Sequence, residues 1–336
     1  MRIGIVKLSS LGDVVHALPL ATALRRGFPE AWVAWVAEER EAALLDGHPD
    51  LDAVARVDTR RWRRLARRPA GLLAAGREIA AARRRLRALD LDVAIDAQGL
   101  LKSGAIAAAT GARVRIGFGA GHCRERASAA FTHRHVNPPA AARHVVDQYL
   151  ALLGPLGLGP AAPEFRVPTW PEANQKMQGW LAGRGLEPGD RVVLLNPGAG
   201  RPDKRWPAAA FRAVASGLVA QPGAAAVVVW GPGEREQADA IAAGLGPAVA
   251  VAPPTDLHEL AALLRRATLV VAGDTGPLHL AAAVGTACLG LFGPTAARRN
   301  GPYGARHRAL ESPDRTMRGI DPVAVLCAAR EMLDAA

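Results

Sequence analysis

Lys7-Leu-Ser-Ser-Leu-Gly-Asp-Val-Val-His-Ala-Leu18 follows a short apolar run, Ile3 to Val6. A strand, a tight polar turn and then a helix put Asp13 in the first helical turn, at the carboxyl end of a strand. In open α/β sheets that edge is where ligands bind. The turn lacks the Gly-x-Gly-x-x-Gly spacing of a dinucleotide fold and offers a carboxylate instead of bare backbone, which argues against a nicotinamide oxidoreductase. A fixed acid there points to acid/base chemistry.

Further βα units extend in both directions from this one. Apolar runs predict strands at 2–7, 32–37, 53–57, 92–96 and 113–117, and helical spacing covers 70–88 and 143–153. Pro19 predicts a kink or restart in the first helix. Glycines and prolines crowd 154–170, and strands resume at 192–196, 225–230, 248–252, 269–273 and 288–292. Continuous apolar strands of this kind are buried on both faces of parallel sheets. The expected architecture is α/β, two Rossmann-like domains facing across a cleft. Residues 1–160 form an N-terminal acceptor-binding domain, 161–190 a linker region and 191–320 a nucleotide-sugar-binding domain. The segment 321–336 is a helix expected to pack back on the N-terminal domain.

The 336 residues are half apolar, enough for two cores. No uncharged apolar run is long enough to span a bilayer. The chain starts on a strand without a leader, so a cytoplasmic location is expected. Cys123, Cys288 and Cys327 lie far apart and suit neither a disulfide framework nor a zinc site. No metal and no cofactor are expected, and a monomer is.

The net charge of +11 is concentrated: Arg60 to Arg87 holds eleven arginines and one acid, Glu78. Such a block predicts an anionic partner. Nucleic acid is disfavoured because Trp62 is the sole aromatic among these arginines. An anionic membrane surface or a phosphorylated acceptor remains, and the bland alternative is a solvated helix face.

Further loops close other strands. Val271-Ala-Gly-Asp-Thr-Gly-Pro-Leu-His279 places Asp274 and Thr275 as caps of a helix beginning near Pro277. Its amides and positive dipole end suit a phosphate, with His279 on the phosphate side. Asn196-Pro-Gly-Ala-Gly-Arg-Pro-Asp-Lys-Arg-Trp-Pro207 presents Lys204 as a point charge for a phosphate. In Trp230-Gly-Pro-Gly-Glu-Arg-Glu236, Glu234 suits ribose hydroxyls or, equally, a helix start. In the first half, Ile95-Asp-Ala-Gln-Gly-Leu-Leu-Lys-Ser103 brings Lys102 to the same edge as Asp13, with Arg60, Arg61, Arg63, Arg64 and Arg124.

Lys7–Pro19, Ile95–Ser103, Asp203–Pro207 and Asp274–Ala281, with Phe292-Gly-Pro-Thr295, resemble the lipopolysaccharide heptosyltransferases of glycosyltransferase family nine, in order from residue 1 to about 304. The first two segments are most similar to its heptosyltransferase I members. The resemblance implies a GT-B fold and inverting transfer of L-glycero-D-manno-heptose from ADP-heptose to Kdo of a lipid A core precursor. It implies Asp13 as general base and Lys204 as the cation meeting the departing diphosphate. Glu234, Asp274, Thr275, Gly276 and His279 become donor contacts, and Ser10, Arg60, Arg61, Arg63, Arg64, Lys102 and Arg124 acceptor contacts. Heptosyltransferase II, or a relative using another acceptor or nucleotide sugar, is the alternative. The chain departs from the family at Ala199 and Gly200, where threonines are usual, and near Thr255, where a methionine is expected beside adenine. The implied enzyme works peripherally on the cytoplasmic face of the inner membrane, at an anionic surface.

Overall fold

Ile3, Ile5 and Val6 are fully buried, as a central parallel strand covered on both faces requires. The computed structural model describes residues 1–220 and 223–335, in two compact units divided after Pro168. In the first, β1 (Arg2–Val6), α1 (Leu11–Gly27), β2 (Trp32–Glu38), α2 (Glu39–Ala42) and β3 (Ala53–Val57) precede a pair of helices, α3 (Thr59–Ala66) and α4 (Leu72–Arg87). There follow β4 (Val93–Asp96), α5 (Leu101–Ala109), β5 (Val114–Phe118), β6 (Arg134–Val136) and α6 (Val145–Ala151).

The second unit opens with α7 (Pro171–Ala182), β7 (Arg191–Asn196), α8 (Ala208–Val219), β8 (Ala224–Val228), α9 (Arg235–Ala242) and β9 (Val249–Val251). It continues through α10 (Leu257–Arg266), β10 (Leu269–Gly273), α11 (Gly276–Ala283), β11 (Ala287–Phe292), α12 (Ala297–Asn300), β12 (Arg308–Glu311) and α13 (Pro322–Asp334).

Each unit carries a parallel sheet, ordered β3-β2-β1-β4-β5-β6 in the first and β12-β11-β10-β7-β8-β9 in the second. Read within each unit, these are the same doubly wound order. The chain reverses direction between β1 and β4, and again between β7 and β10, and such reversals open a crevice at the strand ends. Register brings the closing residues side by side, Val6 with Asp96 and Asn196 with Ala272. The loops that carry the candidate residues leave from these two points.

Three expectations change. α1 runs unbroken through Pro19. A proline inside a helix costs roughly 3 kcal/mol. Here Val14, Val15, Leu18, Leu20 and Leu24 are fully buried on either side of it. Each such side chain contributes about 1.5–3 kcal/mol, so packing outweighs the lost hydrogen bond.

The expected linker region contains α7, whose Ala173, Met177 and Leu181 recur every four residues and are buried. α7 packs on α10 in the second unit. The C-terminal helix also packs within the second unit, on α8, where Val325, Ala328, Ala329 and Leu333 join the core and Leu326 crowds Gly217. Residue 336, the end of that expected segment, lies outside the described residues.

Two edge strands went unread in the sequence. β6 and β12 expose most of their side chains, so neither shows an apolar run.

Candidate active site

Asp13 is the third residue of α1. Ser10 precedes the helix, and both its backbone N–H (3.1 Å) and its hydroxyl (2.8 Å) donate to Asp13 Oδ2. The second oxygen, Oδ1, faces Lys7 Nζ at 3.9 Å. Lys7 is buried and held in place, donating to the Ala97 carbonyl (3.0 Å) and the Tyr149 hydroxyl (2.6 Å). Burial works against the Asp13 charge, but Lys7, the Ser10 bonds and the positive charge of Arg124 outweigh it and hold the carboxyl below its usual 3.8. The side chain keeps 29% of its surface open to solvent. It is a positioned, ionised carboxylate that solutes can reach.

At the end of the neighbouring strand, buried Asp96 shapes the loop. Its Oδ1 accepts the N–H groups of Gln98 (2.9 Å) and Gly99 (3.3 Å), and Oδ2 accepts the Ser103 hydroxyl (3.1 Å). Gln98 in turn receives the Leu8 N–H at 2.8 Å, tying this loop to the one before Asp13. Burial nevertheless pushes the Asp96 carboxyl up.

The expected acceptor cations divide into two sets. Arg60 pairs with buried Glu41 (3.1 Å) and Arg61 with Glu78 of α4 (2.9 Å), so both guanidiniums brace the fold. Lys102 reaches the Ser9 hydroxyl (3.2 Å) and buried Glu38 (3.3 Å), which also accepts from the Thr59 N–H and hydroxyl. Ser10 spends its hydroxyl on Asp13. Arg63, Arg64 and Arg124 are exposed.

In the second unit, the loops after β7 and β10 meet. Lys204 Nζ donates to Asp274 Oδ2 at 2.6 Å, and His279 Nε2 lies 3.0 Å from Oδ1. Because the carboxylate accepts, that His279 nitrogen carries the proton. Burial opposes the Asp274 charge, but His279 and Lys204 together hold the carboxyl far below the usual range.

Asp274 and Thr275, read from the sequence as possible caps of α11, do not cap it through their side chains. Asp274 turns its oxygens to Lys204 and His279, and Thr275 occupies the cap position of α11 without a side-chain cap bond. The Thr275 hydroxyl donates to the Gly273 carbonyl (3.1 Å) and accepts from Asn196 Nδ2 (3.2 Å). The N-terminus of α11 therefore has no side-chain cap, an arrangement that suits an anion. His279 is buried as the partner of Asp274.

Glu234 lies in the turn after β8, its Oε2 accepting the Gly231 N–H (2.9 Å) and its Oε1 3.9 Å from Arg205. With 16% of its side chain exposed, it is largely buried in this turn. Gly198 sits directly beneath it: a Cβ there would overlap the Glu234 carboxylate. Gly198→Ala is expected to displace Glu234, break the Gly231 bond and raise the donor KM about tenfold, the equivalent of one lost hydrogen bond with its strain. Steady-state titration of the donor at fixed acceptor checks this, and an unchanged KM would remove Glu234 from the donor site. Trp206, by contrast, is structural: it is buried edge-on against Phe211 and donates to the Ile320 carbonyl at 3.2 Å.

Sequence reading assigned no role to Lys7, Glu38, Asp96, Gln98, Asn196 or Tyr149. Asp96 and Asn196 did carry a signal, a polar residue closing an apolar parallel strand. Glu38, which closes β2, carried the same signal, whereas Tyr149 showed none, because its partner Lys7 is distant in the chain.

The family model for glycosyltransferase family 9 (heptosyltransferase) matches residues 79–319. The chain is 35% identical over 305 residues to lipopolysaccharide heptosyltransferase 1 of Pseudomonas aeruginosa, covering 90% of this chain and 82% of that protein. It is 33% identical to the Escherichia coli K12 protein of the same name, covering 97% of this chain and 98% of that one. The solved structure of E. coli heptosyltransferase WaaC with ADP has a TM-score of 0.82 at 30% identity, covering 99% of this chain and all of that one. E. coli ADP-heptose lps heptosyltransferase II shares the fold, with a TM-score of 0.77 at 19% identity, covering 100% of this chain and 99% of that one. Two doubly wound units of the GT-B type, with charged loops at both switch points, therefore make up a glycosyltransferase, and the chain belongs to glycosyltransferase family 9.

Proposed function

We propose that this enzyme transfers L-glycero-D-manno-heptose from ADP-heptose to a Kdo sugar of the lipid A core precursor, with inversion, in lipopolysaccharide core synthesis. Relatives named lipopolysaccharide heptosyltransferase 1 support the sugar and the pathway, and WaaC solved with ADP-2-deoxy-2-fluoro heptose supports the donor. The observation that carries the chemistry is Asp13: ionised, aimed by Ser10 and Lys7, and reachable.

On this reading the acceptor hydroxyl oxygen attacks the anomeric carbon while its proton passes to an Asp13 oxygen. The bond from that carbon to the ADP oxygen breaks on the opposite side, and the electron pair leaves with ADP. Lys204 and the first amides of α11 meet the growing diphosphate charge, the preorganised kind of stabilisation that catalyses such departures. Glu234 takes the ribose hydroxyls. Arg63, Arg64, Arg124 and Lys102 meet the acceptor's carboxylates and phosphates.

Among the described residues, no helix is long and apolar enough to cross a membrane. On the same reading, a peripheral monomer meets the lipid-linked acceptor at the cytoplasmic membrane surface, with no cofactor beyond the nucleotide sugar; the exposed arginines Arg63, Arg64 and Arg124 support it.

The test is ADP release from ADP-heptose, measured with and without Kdo-modified lipid A. Acceptor-dependent release supports the assignment. Release favouring a different nucleotide sugar, or a heptosylated core as acceptor, would replace it with the heptosyltransferase II reading.

A further inference from the structure

α3 and α4 pack together as a hairpin, joined by residues 67–71. The joint has a set shape. Arg68 donates to the Leu65 carbonyl (3.2 Å) and Gly71 to the Arg68 carbonyl (2.8 Å). Gly71 passes so close to Leu65 that a Cβ would overlap its carbonyl oxygen. At the tip, immediately after this joint, stand Leu72 and Leu73, 56% and 78% exposed, with Ile79 46% exposed two turns along α4. Exposed Arg67, Arg68 and Arg77 flank them.

Two large aliphatic side chains held out to water at a rigid tip cost free energy unless something covers them. The buried side of α4 is already occupied by Ala75, Ala82 and Leu86, so these leucines do not serve the core. The surrounding charge says what covers them. Glu78 is the single acid among the eleven arginines of residues 60–87, and Arg61 neutralises it. The partner is therefore anionic and apolar at once. Nucleic acid supplies the charge but would stack on aromatics. The local aromatic, Trp62, is half-buried against the first core. A bilayer with anionic headgroups supplies both features, and aliphatic side chains ringed by arginines suit its interface.

We infer that the α3–α4 hairpin is a membrane wedge: Leu72 and Leu73 enter the headgroup–acyl boundary of an anionic bilayer while the arginines hold its headgroups. This rests on the peripheral-membrane reading above and adds to it a depth and a place. Charge alone would hold the protein on the surface, and binding would then vanish with salt. A wedge leaves an apolar component that salt does not screen.

The experiment is co-sedimentation of the full chain with phosphatidylglycerol/phosphatidylethanolamine vesicles and with pure phosphatidylcholine vesicles, at low and high salt. The wild type binds the anionic vesicles, and a measurable fraction remains bound in high salt. L72S/L73S lowers the partition coefficient about tenfold or more and abolishes the salt-resistant fraction. R67Q/R68Q lowers low-salt binding about fivefold per arginine and leaves the salt-resistant fraction in place. Circular dichroism and turnover on a deacylated, water-soluble acceptor stay at wild-type level in L72S/L73S, which separates the wedge from the fold and the active site.

Wild-type binding that L72S/L73S leaves unchanged would overturn the wedge and spare the surface reading. No wild-type binding to anionic vesicles would overturn both. Binding to duplex or single-stranded DNA with comparable affinity, equally insensitive to the leucine change, would assign the arginines to nucleic acid.

Discussion

Asp13→Asn lowers kcat by roughly 10²–10⁴-fold, the range for loss of a general base, while the KM values for donor and acceptor stay close to wild type. The substitution preserves shape. Asparagine can still accept from the Ser10 N–H and hydroxyl, and Lys7 keeps its bonds to Ala97 and Tyr149, so the melting temperature moves little. What is lost is a site for the acceptor's proton.

The pH dependence follows from the direction of the shift. Asp13 is held below 3.8, so its basic form is fully populated across the neutral range. A kcat/KM profile will show no falling acid limb from this carboxylate between about pH 5 and 7. So weak a base accepts the proton late, after bond formation has acidified the hydroxyl. Near-wild-type turnover of the Asn variant at saturating substrates would remove Asp13 from the chemistry.

Lys204→Ala is expected to cost more than one property. Removing a preorganised cation from developing charge lowers kcat by about 10²–10³-fold, and donor affinity falls with it. Stability drops as well. Asp274 loses its 2.6 Å partner and keeps His279 alone, and leaving a buried acceptor unsatisfied costs about 1–3 kcal/mol. Asp274→Asn in the Lys204→Ala background separates the two effects. If Lys204 merely neutralised Asp274, the double variant would recover both melting temperature and rate. With Lys204 acting on the diphosphate, the double variant recovers melting temperature only. Unchanged kinetics in the single variant would move the donor site elsewhere.

The strands beside the two switch points were readable because a parallel strand buried on both faces is an apolar run. Ile3 to Val6 and Leu269 to Gly273 are of this kind, each followed by a polar loop. β6 and β12 were not readable because edge strands here carry exposed polar residues, and nothing local separates them from loop. Pro19 misled for a related reason. A local rule predicted a break, and burial along α1 overrode it.

The site followed the same pattern. That Asp13, Lys204 and Asp274 lie at strand ends was a matter of chain order. That Lys204 grips Asp274 was not, because the partners are 70 residues apart and meet only through the β7–β10 pairing. Likewise, the arginine block predicted an anionic partner by charge alone. Only the folded hairpin showed Arg61 committed to Glu78, and Leu72 and Leu73 at the tip.

Amino-acid order by itself determined the two βα-alternating halves and which polar residues stand at strand ends. Periodicity and turn chemistry act over a few residues and need no distant partner. Tertiary structure alone decided how those residues are charged and whom they hold. Lys204 on Asp274, Lys7 on Ala97 and Tyr149, and Lys102 on Glu38 are set by adjacent elements and burial. Electrostatic interaction depends on distance in space, and only the fold sets that distance.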